Sequence, residues 1–187
     1  MDRMVDMLGA LAAIAAIVAS PLASRSLPAE VRTGGSVRYF AFGSNLLLSK
    51  LENRSGFSVL ERLPASVADH RLAFNMRMFP PLEPAMASIE PCVGDVCEGV
   101  LYTLTSEAYE ELWRSEGGSM ARPGYEEVVV TCDASTGPVR AITLRAAPWM
   151  RLRRDAPPSL RYKSLIVEGA REAGLTSGYL SRLDALP

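Results

Sequence analysis

The sequence predicts an α+β fold, and three observations carry that expectation. Strand-like segments crowd the stretch from Val37 to Ala146, and many of them precede most of the helical content. The two kinds of element do not alternate as a βαβ chain would, and no internal repeat appears. At 187 residues with 48% hydrophobic content, the chain is long enough for one domain with a sizeable core.

Each element has a local reason. Val37 to Phe42 (VRYFAF) is rich in β-branched and aromatic residues and reads as a strand. Gly43-Ser44-Asn45 stops it, and Leu46 to Leu51 reads as a short helix capped by Ser44 or Asn45. Further strands are expected near Phe57–Leu60, His70–Asn75, Ala85–Ile89, Val96–Leu104, Tyr125–Cys132 and Val139–Ala146. Thr105 or Ser106 begins a helix that runs to Glu116. Pro157-Pro158 leads into a longer helix over Ser159–Ala173, closed by Gly174. A last short helix follows Thr176.

Residues 1–36 have a different texture. Met7 to Ala19 is an unbroken apolar run, followed by Ser20 and Pro21. Its length suits a signal-peptide core and is short of the roughly 20 residues of a membrane span. Asp2 and Asp6 offset Arg3, so the leader is not clearly basic. A targeting or anchoring signal and a dispensable extension both remain open, with membrane contact confined to residues 7–23. Ser24 to Ser36 reads as a polar linker, which places the domain at residues 37–187.

Composition narrows the function. Lys+Arg total 20 against 21 Asp+Glu, so no basic face is predicted and nucleic acid is not an expected partner. His70 is the only histidine and cannot form a multi-histidine metal site. Cys92, Cys97 and Cys132 are odd in number and form no CxxC pair, which predicts free, buried or half-buried thiols and a cytoplasmic location. Neither a GxGxxG fingerprint nor a GK[ST] phosphate loop is present, so no metal, nucleotide or other cofactor is expected.

Three sites carry chemical information. Phe40 to Leu47 (FAFGSNLL) places Gly43, Ser44 and Asn45 between a strand and a helix, where main-chain N–H groups gather. The same residues also make an ordinary cap. Tyr109, Leu112 and Trp113 share one helical face, and the next position on it is Glu116. A carboxylate there lies on the buried side at the helix's negative end, which disfavours the charged form and suits proton transfer. Alternatively the helix ends before Gly117-Gly118 and Glu116 is solvated. Tyr162 shares a face with Leu165, Ile166, Gly169 and Ala173, a pattern that fits core packing as well as a site.

These residues together resemble a known family. Tyr39 to Leu47 (YFAFGSNLL) is similar to the YFAYGSNL signature of the gamma-glutamylcyclotransferases. In order along the chain, Leu72–Asn75 (LAFN), Val96–Leu104 (VCEGVLYTL), Ser115–Tyr125 and Pro158–Leu175 resemble the family's later motifs. The resemblance implies a small mixed β-barrel flanked by helices. It also implies cyclisation of a γ-glutamyl compound, whose own α-amine attacks its γ-carbonyl to give 5-oxoproline and a free amine or amino acid.

On that resemblance Glu116 is the general base and acid. Gly43, Ser44, Asn45 and Leu46 supply main-chain donors to the glutamyl moiety, Tyr39 stands at the loop's mouth, and Tyr125 and Tyr162 orient the pocket. Phe42 stands where the family usually has tyrosine, which bears on substrate preference. Glu98 is a rival buried carboxylate to which no role is carried over. Free γ-glutamyl amino acids, glutathione and γ-glutamyl amines share one glutamyl end, so the substrate stays open, as does a homodimer. Two alternatives stand beside this reading: a non-catalytic small-molecule-binding module on the same barrel, and an amidohydrolase using His70.

Overall fold

The computed structural model describes residues 27–55, 59–79 and 82–187. The apolar run at Met7–Ala19 and part of the strand expected at Phe57–Leu60 lie outside them. Strands β1 (Arg32–Thr33), β2 (Ser36–Ala41), β3 (Glu61–Arg77), β4 (Ala85–Thr105), β5 (Tyr125–Ala134) and β6 (Gly137–Ala146) form one sheet in the order β1-β2-β4-β3-β5-β6. A parallel pairing of β2 with β6, at Tyr39 and Ile142, closes the sheet into a five-stranded ring with β1 outside it. All other pairings are antiparallel, so the fold is a mixed barrel, as expected.

Helices α1 (Leu48–Ser55), α2 (Ser106–Ser115), α3 (Leu160–Glu172) and α4 (Ser177–Asp184) flank the barrel. The last three begin as the sequence predicts. Thr105, Ser159 and Thr176 each accept a hydrogen bond from the main-chain N–H three residues on. Leu46 is not helical in the α sense; Ser44–Leu46 forms a 3-10 turn, and α1 starts at Leu48.

Two expected strand breaks are not breaks. Ala85–Ile89 and Val96–Leu104 are expected as separate strands, yet β4 runs 21 residues through both. The extra residues loop out opposite Asp69, whose carboxylate accepts from the Gly94 N–H at 2.8 Å. Likewise His70–Asn75 belongs to a 17-residue strand. Such bulges bend a long pair around a barrel without ending it.

The expected linker at Ser24–Ser36 is corrected from Leu27 onward. Leu27 and Val31 are buried in the same core as Val37, Phe40 and Leu104, with Val31 at 0% exposure. β1 pairs with β2, Arg32 opposite Val37. The packed unit therefore begins by Leu27 rather than Val37, because two apolar side chains in a polar-looking stretch find the barrel. Cys97 and Cys132 are buried and Cys92 is half-buried, all free, as expected. Burial pushes both buried thiols up to about 12, which keeps them protonated. No helix among the described residues is long and apolar enough to cross a membrane.

Candidate active site

The chain leaves β2 at Ala41 and turns at Gly43 into the 3-10 turn. The Leu46 N–H closes that turn on the Gly43 carbonyl at 3.0 Å. This corrects one expectation: the Leu46 amide is spent inside the turn, and Leu46 is fully buried instead of facing a ligand. Its carbonyl is held from below. Tyr102 donates its hydroxyl to the carbonyls of Asn45 (3.1 Å) and Leu46 (3.2 Å), and Arg62 donates to Leu46 at 3.1 Å. Burial pushes the Tyr102 phenol up to about 12, so it stays a donor. From the side, α3 lies directly on the turn. A Cβ on Gly169 would stand 2.5 Å from the Leu47 nitrogen, so only hydrogen fits there.

Glu116 reaches the same place from another element. The open question of the helix end is settled by its geometry. α2 stops at Ser115, and Glu116 is the residue just past it, its N–H bonded to the Leu112 carbonyl at 3.0 Å. Gly117, at φ 81°, turns the chain out of the helix, a conformation that glycine adopts without a Cβ penalty. The Gly118 N–H bonds the Trp113 carbonyl at 2.8 Å. Glu116 is thus neither solvated nor deep in the core but half-buried. Its Oε1 accepts from the Asn45 side-chain amide at 3.1 Å, and that amide also donates to the Tyr39 hydroxyl at 3.1 Å.

The opposite wall rests on Ala87. Ala73 pairs with Ser88 and Met76 with Met86, so Phe74 and Asn75 of β3 bulge opposite Ala87, which has no paired residue. The Ala87 N–H donates to the Tyr162 hydroxyl at 3.2 Å, and the Tyr125 hydroxyl donates to the Ala87 carbonyl at 3.1 Å. Tyr162 is therefore a site residue as well as a core one, packed edge-on against Phe74. Around it α3 is rotated slightly from the expected face, with Val167 and Ala170 buried and Leu165 half-buried.

These walls line a small, partly open cleft. Of the residues expected at the site, Tyr39, Gly43, Ser44, Asn45, Glu116, Tyr125 and Tyr162 line it; Leu46 does not. Sequence reasoning missed Met86, Ala87 and Leu144, which complete the lining with Phe42. Their segments are ordinary strand sequence, and the bulge that leaves Ala87 without a paired residue gives no local signal. Glu98 stands elsewhere, accepting from the Thr176 N–H and hydroxyl at the start of α4. His70 does not line the cleft; its Nδ1 faces the Ala68 carbonyl at 2.9 Å. That removes the geometric basis of the His70 amidohydrolase. Among the described residues no cluster of His, Cys, Asp or Glu is placed to hold a metal ion.

Comparison with known proteins points the same way. Residues 96–183 match the model of the AIG2-like family. The Aspergillus fumigatus gamma-glutamyl cyclotransferase gliK is 35% identical, over 82% of this chain and 63% of its own length. So the match spans less than two thirds of that relative. The mouse gamma-glutamylcyclotransferase is 31% identical over 82% of this chain and 80% of its own. A solved gamma-glutamyl cyclotransferase structure superposes with a TM-score of 0.71 at 27% identity, covering 81% of this chain and 88% of that one. At this identity and coverage, the chain belongs to the gamma-glutamylcyclotransferase family.

Proposed function

We propose that the chain is a gamma-glutamylcyclotransferase that releases 5-oxoproline from a γ-glutamyl amino acid or peptide. One observation carries the reading: the Glu116 carboxylate is bonded through Asn45 to the 3-10 turn, inside a cleft that also presents Tyr39, Tyr125 and Tyr162. Such a site can grip a glutamyl group and hold a proton acceptor beside it.

The reaction needs no external nucleophile. The α-nitrogen forms a bond to the γ-carbonyl carbon, and the bond from that carbon to the leaving nitrogen breaks. Glu116 takes a proton from the α-ammonium and returns it to the leaving nitrogen; the second proton, shed as the α-nitrogen becomes the lactam N–H, ends on the departing amine, which leaves as an ammonium. Attacking and leaving nitrogens share one carbon, so a single carboxylate can serve both. Because both reacting groups belong to one molecule, the protein gains mainly by holding them close and aligned. Main-chain groups of Gly43, Ser44 and Asn45 face the glutamyl end, and the two tyrosines set its orientation. Phe42 offers an apolar wall where a hydroxyl is usual, a difference of about 0.5–1.5 kcal/mol in one hydrogen bond.

Incubation with a panel of γ-glutamyl amino acids, glutathione and γ-glutamyl amines tests this, with 5-oxoproline as the readout. Release from at least one compound, abolished by Glu116→Gln, is expected. Tight binding of a γ-glutamyl compound without turnover would favour the non-catalytic module instead.

A further inference from the structure

The wall around Ala87 has a second support, built from side chains outside the cleft lining. Glu90 is its node, with a side chain 13% exposed. Its Oε1 accepts from the Asn75 side-chain amide at 3.0 Å and from the Ser88 hydroxyl at 3.0 Å, and the Arg151 Nε lies 3.2 Å away. Asn75 stands in the bulge opposite Ala87, and Ser88 follows Ala87 in the chain; both are buried. From there the network crosses to β6. The Ser88 hydroxyl oxygen accepts from the Ala146 N–H at 3.0 Å, and Arg151 donates to the Ala146 carbonyl at 2.6 Å. Ala146 is the residue paired with Tyr125. Arg151 is itself held by Glu126 at 3.2 Å, and its neighbour Leu152 donates its N–H to the Asn75 carbonyl at 2.7 Å.

On the cyclotransferase reading, on which this inference rests, Tyr125 and Tyr162 orient the substrate, and both hydroxyls are bonded to the main chain of Ala87. A bulge interrupts the regular ladder, so the strands there need another restraint. We propose that Glu90 is a positioning residue for substrate binding: it ties Asn75 to Ser88 across the bulge, and so sets where Tyr125 and Tyr162 stand in the cleft. A carboxylate suits the role because it accepts only, and here one oxygen takes two donors with a guanidinium beside it. Charge-assisted bonds are stronger than neutral ones, and the members of a connected network depend on one another. A glutamine at this position keeps the shape and one acceptor but loses the ion pair with Arg151. An alanine leaves the Asn75 amide and the Ser88 hydroxyl without this acceptor, a cost that falls on the bulge itself.

The test measures 5-oxoproline release by the full chain and by Glu90→Ala, Glu90→Gln and Ser88→Ala, each alone and combined with Tyr125→Phe. The substrate is the γ-glutamyl amino acid that the wild type turns over best. Glu90→Ala should raise KM about three- to tenfold while kcat changes less than about twofold, with Glu90→Gln and Ser88→Ala smaller in the same direction. KM does not depend on how much of the enzyme is folded, so lost stability alone does not move it. Glu90→Gln, matched in shape, carries the same comparison if the alanine variant does not fold. Because Glu90 acts through the Ala87–Tyr125 bond, its effect on KM should shrink by at least about twofold in the Tyr125→Phe background. An unchanged KM, a loss confined to kcat, or KM shifts that simply multiply would overturn the proposal while leaving the cyclotransferase reading intact. Failure of the wild type to form 5-oxoproline from any γ-glutamyl compound would overturn that reading, and this inference with it.

Discussion

The two walls of the cleft are built on different principles. One wall is local: a strand, a glycine turn and a helix end place Gly43, Ser44, Asn45 and Glu116 within a few residues of their own structural signals. The other is assembled from afar. Ala87 holds Tyr162 across 75 positions of sequence and Tyr125 across 38, and does so only because β3 bulges opposite it. On the proposed function, chemistry is concentrated on the local wall and orientation on the distant one. Damage to the first should therefore act on kcat, and damage to the second on substrate placement.

The largest expected effect is on the local wall. Glu116→Gln keeps the shape and the Asn45 contact while removing proton transfer, and should lower kcat by about 10²–10⁴. Near-normal turnover by a folded variant would remove the distinction between the walls. Next comes the packing behind β2. A chain beginning at Ser36 loses Leu27 and Val31, at about 1.5–3 kcal/mol for each buried side chain, whereas one beginning at Leu27 keeps both. Thermal melts of the two truncations should differ sharply; matching melts would put the domain boundary back at residue 37.

Gly169→Ala sharpens the comparison from the helix side. An added methyl meets the Leu46–Leu47 main chain, so the turn or α3 must shift, at about 1–3 kcal/mol. On the proposed function the turn carries the glutamyl contacts, so activity should fall along with denaturant stability. Unchanged kinetics in a destabilised variant would show that the turn holds its shape without α3.

Smaller effects are expected on the distant wall. Tyr125→Phe and Tyr162→Phe each remove one hydrogen bond to Ala87, about 0.5–1.5 kcal/mol, and should raise KM more than they lower kcat. The smallest concerns Asp155, which pins the segment after β6 to this wall. It pairs with Arg71 at 2.6 and 3.1 Å and accepts from the Phe74 N–H in the bulge at 3.3 Å. Burial pushes its carboxyl up, but the Arg71 pair and the Phe74 amide outweigh that and hold it below its ordinary value. The stabilisation is therefore present above the unfolded carboxyl's value and is lost as pH falls through the folded one. At 36% side-chain exposure solvent screens the pair, so Asp155→Asn should cost at most about 1 kcal/mol near neutral pH and less in acid. Denaturation midpoints measured across pH 3–7 check the sign.

The same contrast explains what could be read in advance. Thr105, Ser159 and Thr176 announce their helices because capping is decided within three residues. Glu116 was legible from the apolar face of α2 and from the motif, and Tyr39 and Asn45 from the turn signature. Ala87 was not, because a bulge is a property of two strands in register, and β3 alone shows no trace of it. Leu27 and Val31 read as linker because an apolar pair in polar surroundings carries no period. Leu46 misleads for a similar reason. Its amide looks like a donor at a helix start until the 3-10 turn is seen to use it.

On the proposed function, the cleft cyclises its substrate instead of hydrolysing it. Turnover of a γ-glutamyl amino acid in water enriched in oxygen-18, followed by mass spectrometry, tests this most directly. Intramolecular attack predicts 5-oxoproline and free amino acid in equal amounts, with no heavy oxygen in the 5-oxoproline. Free glutamate carrying one oxygen-18 atom would show that water was the nucleophile, and would contradict the role assigned to Glu116.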